Sequence, residues 1–341
     1  MEKNSLSFID NIENIEDLSL DFQPKEFKDY LGQEELKKKL ALYTQAAKMR
    51  QEPLDHLLFF GPPGLGKTTI ATIMANVMGV NIKIASGPMM ERNGDLVAIL
   101  SSLSPRDILF IDEIHRMPSH VEEVLYNAME HFRVDVIIGQ GASAKTVNLP
   151  ISPFTLIGAT TKSGMISAPL RTRFGILERL EYYTPQELSL IVMQAATYLE
   201  FSIDDQAALL IGSAARGTPR TAKKITRRVR DIIQVNNSKH ANLETVEKSL
   251  QFLGIDKNGL TLVDHQILRE IIIKFNGGPV GVETLAAVIG EDSETLQEVY
   301  EPYLLRLGYL EKTSRGRMIP YTMLPRLKAQ YLGQLNINTT N

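Results

Sequence analysis

The sequence predicts an α/β core on a parallel sheet that carries a phosphate-binding loop, then a small all-helical lid, then a C-terminal winged helix. Three observations carry this. Gly61-Pro62-Pro63-Gly64-Leu65-Gly66-Lys67-Thr68 fits G-x-x-x-x-G-K-[ST] between an apolar run and a helical pattern. Ile108-Leu109-Phe110-Ile111 is a second apolar run and ends in Asp112-Glu113. The chain after 257 reads helix, helix, helix and two short strands.

Composition sets the outer bounds. A chain of 341 residues suggests two or three domains, and 43% hydrophobic with 23% charged residues is ordinary for a globular protein. No stretch is long and apolar enough to span a bilayer, so no membrane partner is expected. The N-terminus is polar and acidic (Glu2, Asp10, Glu13, Glu16, Asp17), unlike a signal peptide. The absence of cysteine excludes disulfides and cysteine-based zinc sites and favours a cytoplasmic location. A net charge of −3 gives no global pull towards nucleic acid, so any such partner must be argued from local patches.

Residues 1–21 lack periodicity and read as a flexible segment, and the large domain follows over 22–183. Glu34–Arg50 carries Leu36, Leu40, Tyr43 and Ala47 at helical spacing. Leu57–Phe60 reads as a buried strand, and the helix after the phosphate loop ends at Gly79. In the loop, Gly61, Gly64, Leu65 and Gly66 offer backbone N–H groups to a polyphosphate, helped by the positive end of the helix. Lys67 is expected on the β- and γ-phosphates of ATP, and Thr68 on Mg²⁺. A strand is predicted over 80–84 and a helix over 94–103.

The run 108–113 places Asp112 and Glu113 at the C-terminal end of a parallel strand, where ligands bind in open α/β sheets. Asp112 is expected in the Mg²⁺ shell, and Glu113 is expected to orient and deprotonate the attacking water. His115 reads as a structural hydrogen-bonder, because Glu113 already fills the base role. A helix over 121–132 precedes a hairpin over 134–149 with Gly139-Gln140-Gly141 at its turn. This hairpin is either a solvent-facing one or an arm for a partner, since Val136-Ile137-Ile138 would leave apolar surface outside the sheet. Phe154–Thr161 is another buried strand, which puts Thr160 or Thr161 beside the phosphates as a polar sensor. Arg171 and Arg173 precede Phe174-Gly175, either as a solvated helix end or as an arginine finger for a neighbouring subunit. The last strand is expected over 176–182.

Thr184-Pro185-Gln186-Glu187 is a capping box with Pro at the first helical position and opens the lid, 184–256. Its helices are expected over 187–199, 204–215, 218–236 and 243–253, with no strands. Arg220, in Gly217-Thr218-Pro219-Arg220, is a candidate second sensor. Of Lys223, Lys224, Arg227, Arg228 and Arg230 on the same helix, most read as a solvated or inter-subunit face. The head, 257–334, is the winged helix, and a tail follows over 335–341. Glu291, Asp292, Glu294, Glu298 and Glu301 make the start of its third helix acidic, although this helix would normally enter the major groove. The wing carries Lys312, Arg315 and Arg317. Double-stranded DNA would therefore be held through the wing without strong sequence preference, the alternative being a head used for protein contacts.

Taken together, Gly-Pro-Pro-Gly-Leu-Gly-Lys-Thr-Thr at 61–69, Asp-Glu-Ile-His-Arg at 112–116, Gly-Ala-Thr-Thr at 158–161, Arg-Phe-Gly at 173–175, Gly-Thr-Pro-Arg at 217–220 and Thr-Ser-Arg-Gly-Arg at 313–317 resemble the RuvB family, AAA+ motors of Holliday-junction branch migration. The resemblance covers roughly residues 22–333. It implies a homohexameric ring around duplex DNA that docks on a RuvA-like junction-binding protein and pumps DNA with ATP, in recombination and repair, while a RuvC-like resolvase cuts the junction. By position it implies nucleotide contacts from Gly64, Lys67, Thr68 and Thr69, and adenine-side contacts from Phe22, Gln23 and Tyr183. Glu130, His131 and Phe132 match a further nucleotide-site segment. Thr161 matches the first sensor better than Thr160, Arg173 the finger and Arg220 the second sensor. Lys312 and Arg317 match DNA-contacting positions, and the hairpin matches the arm for the RuvA-like partner. Departures are Gln23 where the family usually has Arg, Lys312 for a common Arg, and Ser293 where some members are basic; weaker or more salt-sensitive DNA binding is expected. Rival classes are another AAA+ machine, such as a clamp-loader subunit or protein remodeller, and a nucleotide-gated DNA scaffold. The basic wing argues against the first and the pair Glu113 and Arg173 against the second.

Overall fold

The computed structural model describes residues 23–138 and 145–338. Phe22 and the Gly139-Gln140-Gly141 turn lie outside these residues. Five parallel strands, β1 (Leu57–Phe60), β2 (Ile82–Ser86), β3 (Ile108–Asp112), β6 (Thr155–Thr160) and β7 (Ile176–Arg179), form one sheet in the order β2-β3-β6-β1-β7. β3, β6 and most of β1 are buried, as their unbroken apolar runs require of strands covered on both faces. The sheet order places the C-terminal ends of β1, β3 and β6 side by side. These ends carry the phosphate loop, Asp112 and Thr160.

β2 starts two residues later than the sequence pattern suggests. Val80 is used to close the preceding helix, donating its N–H to the Ala75 carbonyl just after Gly79 turns left-handed. The hairpin strands β4 (Arg133–Ile138) and β5 (Lys145–Pro150) pair antiparallel as a separate two-stranded sheet. Val134 at the hairpin's base is buried, whereas Val147 and Leu149 are partly exposed.

In the lid, helices Pro185–Tyr198, Asp205–Ala214, Pro219–Val235 and Leu243–Phe252 stand where the periodicity puts them. The Thr184–Glu187 capping box forms, with Glu187 N–H on Thr184 Oγ1 at 3.2 Å and Thr184 N–H on Glu187 Oε2 at 2.8 Å. The expectation of a strand-free lid needs a correction. β8 (Ser202–Ile203) and β9 (His240–Ala241) pair parallel where two inter-helix connections run side by side, a ladder too short to leave a sequence period.

The head contains helices Leu262–Phe275 and Val282–Ile289 and the wing strands β10 (Glu311–Thr313) and β11 (Gly316–Met318). Its third helix contains a π-helical turn, Leu296–Tyr300, between Ser293–Thr295 and Glu301–Arg306. A fourth helix, Leu324–Asn338, follows the wing and runs across the expected start of the tail at 335. Pro325 sits in its first turn, where it costs no hydrogen bond. Leu327 and Tyr331 are buried and hold the helix against the head core.

Candidate nucleotide site and DNA-facing wing

The phosphate loop is shaped by backbone that other residues resist. Gly66 has φ +95°, and a Cβ there would lie 2.8 Å from Tyr30 Oη; Gly64 has φ +77°, and a Cβ there would lie 3.1 Å from Arg220 Cβ. The loop is also held from behind. Tyr183 Oη donates to Tyr30 Oη at 2.9 Å, and Tyr30 Oη donates to the Leu65 carbonyl at 3.2 Å. Burial pushes the Tyr30 phenol up to about 12 and Tyr183 higher still, so both stay neutral donors. Tyr183 therefore reaches the site through the loop and does not line the cleft. Tyr30 had no signature in the sequence, because its partners lie 35 and 153 residues away.

In front of the loop is a cleft of about 290 Å³, lined by Gly64, Gly66, Lys67, Thr68, Thr69, Asp112, Glu113, Arg220 and Lys223. Lys67 is buried, and its ammonium donates to the carbonyls of Gly61 and Pro62, both at 2.9 Å. Burial lowers its pKa, and the carboxylates of Asp112 and Glu113 oppose that shift. Two helix N-termini open on the cleft, at Lys67 and at Pro219, and the Arg220 N–H reaches the Gly64 carbonyl at 3.3 Å. Three cations and two helix N-termini suit a polyphosphate anion. Lys223 lies one turn after Arg220 and faces the cleft.

Glu113 has a left-handed backbone, φ 47° and ψ 44°, which turns it off the end of β3. Its Oε2 accepts from Thr161 Oγ1 at 3.1 Å and lies 3.2 Å from His115 Nδ1. His115 Nδ1 also lies 2.9 Å from Thr160 Oγ1, and burial lowers its pKa against the pull of Glu113. His115 is thus a hydrogen-bonding strut between β3 and β6. Asp112 Oδ1 accepts the Glu113 N–H at 3.0 Å. The Thr68 hydroxyl and the Asp112 carboxylate line the same cleft, an oxygen donor set that fits Mg²⁺.

Arg173 does not line this cleft. Its guanidinium lies 4.5 Å from the centroid of the Tyr126 ring, Nη1 donates to the Pro169 carbonyl at 2.7 Å, and Nε lies 3.1 Å from Glu130 Oε1 without an aligned acceptor. Glu130 therefore belongs with Arg173, away from its own chain's phosphate loop. His131 next to it is exposed, and Phe132 packs edge-on to Phe154 at 6.1 Å between centroids. Gln23 is exposed and likewise does not line the cleft.

The wing cations separate into two kinds. Glu301 is fully buried, and it holds Arg317 Nε at 2.5 Å and Lys312 Nζ at 2.8 Å. Arg317 also donates to Gln297 Oε1 at 3.2 Å, and its side chain is only 11% exposed. Lys312 and Arg317, the two residues matched to DNA contacts, thus also tie the wing to the third helix. Arg315 stands exposed at the wing's turn.

Comparison with known proteins supports the architecture throughout. Family models described as the Holliday junction DNA helicase RuvB P-loop domain, the RuvB AAA lid domain and the RuvB C-terminal winged helix domain match residues 22–180, 183–256 and 257–327. Among solved structures, the Thermotoga maritima RuvB Holliday junction branch migration motor is 47% identical, with a TM-score of 0.78 over 90% of this chain and 98% of that one. A mutant of the T. maritima protein gives a TM-score of 0.80 at 47% identity, over 90% of this chain and 99% of that one. The AAA domain of FIGL-1, in complex with ADP, shares only the fold, at 17% identity and a TM-score of 0.52 over 73% of this chain and 90% of that one. This chain belongs to the RuvB family of AAA+ Holliday junction branch migration motors.

Proposed function

We propose that the protein hydrolyses ATP as one subunit of a homohexameric ring on double-stranded DNA and drives branch migration in recombination and repair. It works in the cytoplasm with a RuvA-like junction-binding protein docked on the hairpin 134–149 and with a RuvC-like resolvase in the same complex. The observation that carries this reading is the split of the site. Lys67, Thr68, Asp112, Glu113 and Arg220 meet around one cleft, while Arg173 and Glu130 sit together outside it. A site whose candidate arginine finger, Arg173, lies outside its own cleft is one that a second copy can complete.

In this mechanism the loop N–H groups, Lys67 and Arg220 bind and orient the phosphates, with Thr69 beside them. Glu113 turns from Thr161 to accept the proton of the attacking water, and Thr161 senses the γ-phosphate. Thr68 and Asp112 hold Mg²⁺, which when bound neutralises charge on the phosphate oxygens. Arg173 of a neighbouring subunit stabilises the transferring phosphoryl group, with Glu130, His131 and Phe132 framing that face. Phe22, Gln23 and Tyr183 serve the adenine side, Tyr183 by bracing the loop. At the wing, Arg315 and Lys312 meet DNA phosphates.

The test is steady-state ATP hydrolysis with and without duplex or four-way-junction DNA, alone and with a RuvA-like protein, beside an assay of junction movement. Hydrolysis coupled to partner-dependent movement is the expected result. Hydrolysis without movement under any condition would overturn the motor reading.

A further inference from the structure

The acidic third helix of the head fits poorly with a groove-reading role, and the structure puts its charges to other uses. Asp292 caps the helix, with Oδ1 accepting the N–H groups of Glu294 at 2.8 Å and Thr295 at 2.9 Å. Glu298 Oε1 lies 2.6 Å from Lys162 Nζ in the large domain. Glu301 binds the wing through Lys312 and Arg317. Lys162 directly follows Thr161, the hydroxyl on Glu113, and its own N–H is held by Thr160 Oγ1 at 3.0 Å. Gln297, Glu298, Val299 and Pro302 of the helix face the turn 161–163 and the phosphate loop across a shared cavity.

We propose that Lys162 and Glu298 are positioning residues that couple the nucleotide site to the wing, with the head's third helix as the link between them. The physical chain runs from Glu113 through Thr161 to the Lys162 backbone, across the ion pair to Glu298, and one turn along the helix to Glu301 and the wing. A shift of the 160–162 turn as the Thr161 hydroxyl exchanges Glu113 for a phosphate moves the Lys162 ammonium. The helix transmits this because Glu298, in the π-helical turn Leu296–Tyr300, and Glu301, which opens the α-helical segment continuing it, are only three residues apart. The pair is about half exposed, with 47% of each side chain accessible, so it contributes little to stability and acts as a register pin. This helix therefore faces the ATPase domain and not the DNA.

The inference rests on the nucleotide site proposed above, and its test is read without DNA. Amide hydrogen exchange over the wing, 311–318, is compared in full-length protein with a non-hydrolysable ATP analogue and with ADP, for wild type, Lys162→Glu, Glu298→Lys and the double charge swap. We expect wild type to show a nucleotide-dependent difference, each single variant to lose at least half of it, and the swap to restore it. No difference in wild type, an undiminished difference in the single variants, or no recovery in the swap would each overturn the coupling. Duplex binding measured on the same samples judges the wing's DNA role separately: loss of that role with the exchange response intact would sink the functional reading and leave the link standing.

Discussion

Arg317→Ala separates a DNA contact from a structural tie. The side chain it removes is 11% exposed and faces a carboxylate, Glu301, that is 1% exposed. Breaking a fully buried pair from one side costs about 3–5 kcal/mol. Lys312 remains on Glu301 at 2.8 Å and is 48% exposed, so part of the charge stays compensated. We therefore expect a loss of about 2 kcal/mol in the head, below the range for a fully buried pair. For a domain of this size that is a fall of roughly 8–16 °C in its melting transition. The backbone of Arg317 is bonded to Val280 in both directions at 2.8 Å, so the wing stays attached while its angle loosens. Arg315→Ala gives the contrast, with stability unchanged within about 0.5 kcal/mol. Its slope of log K for duplex binding against log salt should become shallower by about 0.9, the value of one phosphate contact. Calorimetry and a salt titration on both variants decide the matter. Unchanged head stability in Arg317→Ala, together with the shallower slope, would refute the tie and return Arg317 to the DNA.

Four further outcomes follow from the cleft. Lys67→Ala is expected to abolish ATP binding measured by calorimetry, since the buried ammonium is the loop's fixed cation. Glu113→Gln keeps ATP binding while turnover falls by at least 100-fold (about 2.7 kcal/mol in barrier) in a steady-state assay, and normal turnover would rule out water activation. Gly66→Ala places a Cβ 2.8 Å from Tyr30 Oη at φ +95°, costing about 1–3 kcal/mol and most of the nucleotide affinity by equilibrium titration. Arg173→Ala subunits bind ATP without hydrolysing it and regain part of the activity when mixed with Lys67→Ala subunits. Absence of recovery at every mixing ratio would count against a site shared between subunits.

The comparison of sequence and structure follows a single divide, that between local and long-range relations. The phosphate loop, the Asp112-Glu113 strand end and the Thr184–Glu187 box could be read directly, because each is a contiguous stretch whose spacing sets its own geometry. The fourth head helix lies past the wing, outside the order of elements the sequence pattern supplied, and Pro325 in its first turn costs it no hydrogen bond. The two-residue ladder β8–β9 escaped because it is too short to show alternation. That Lys223, among the cations of its helix, lines the cleft could not be read, because helical spacing names a face without naming what the face meets.

By itself the sequence determined the three-part architecture and the family, and it singled out the residues proposed to bind phosphate and activate water. It could do so because periodicity, glycine placement and motif order are properties of neighbours along the chain. Tertiary structure alone decided that Tyr183 and Tyr30 brace the loop, that Arg173 rests with Glu130 outside its own cleft, and that Glu301 claims Arg317. It also decided that Lys162 meets Glu298, 136 residues along the chain. These pairings depend on how helices and domains pack, and a buried carboxylate takes whichever cation that packing brings within reach, because leaving it unpaired away from water costs more than any surface contact the cation could make instead.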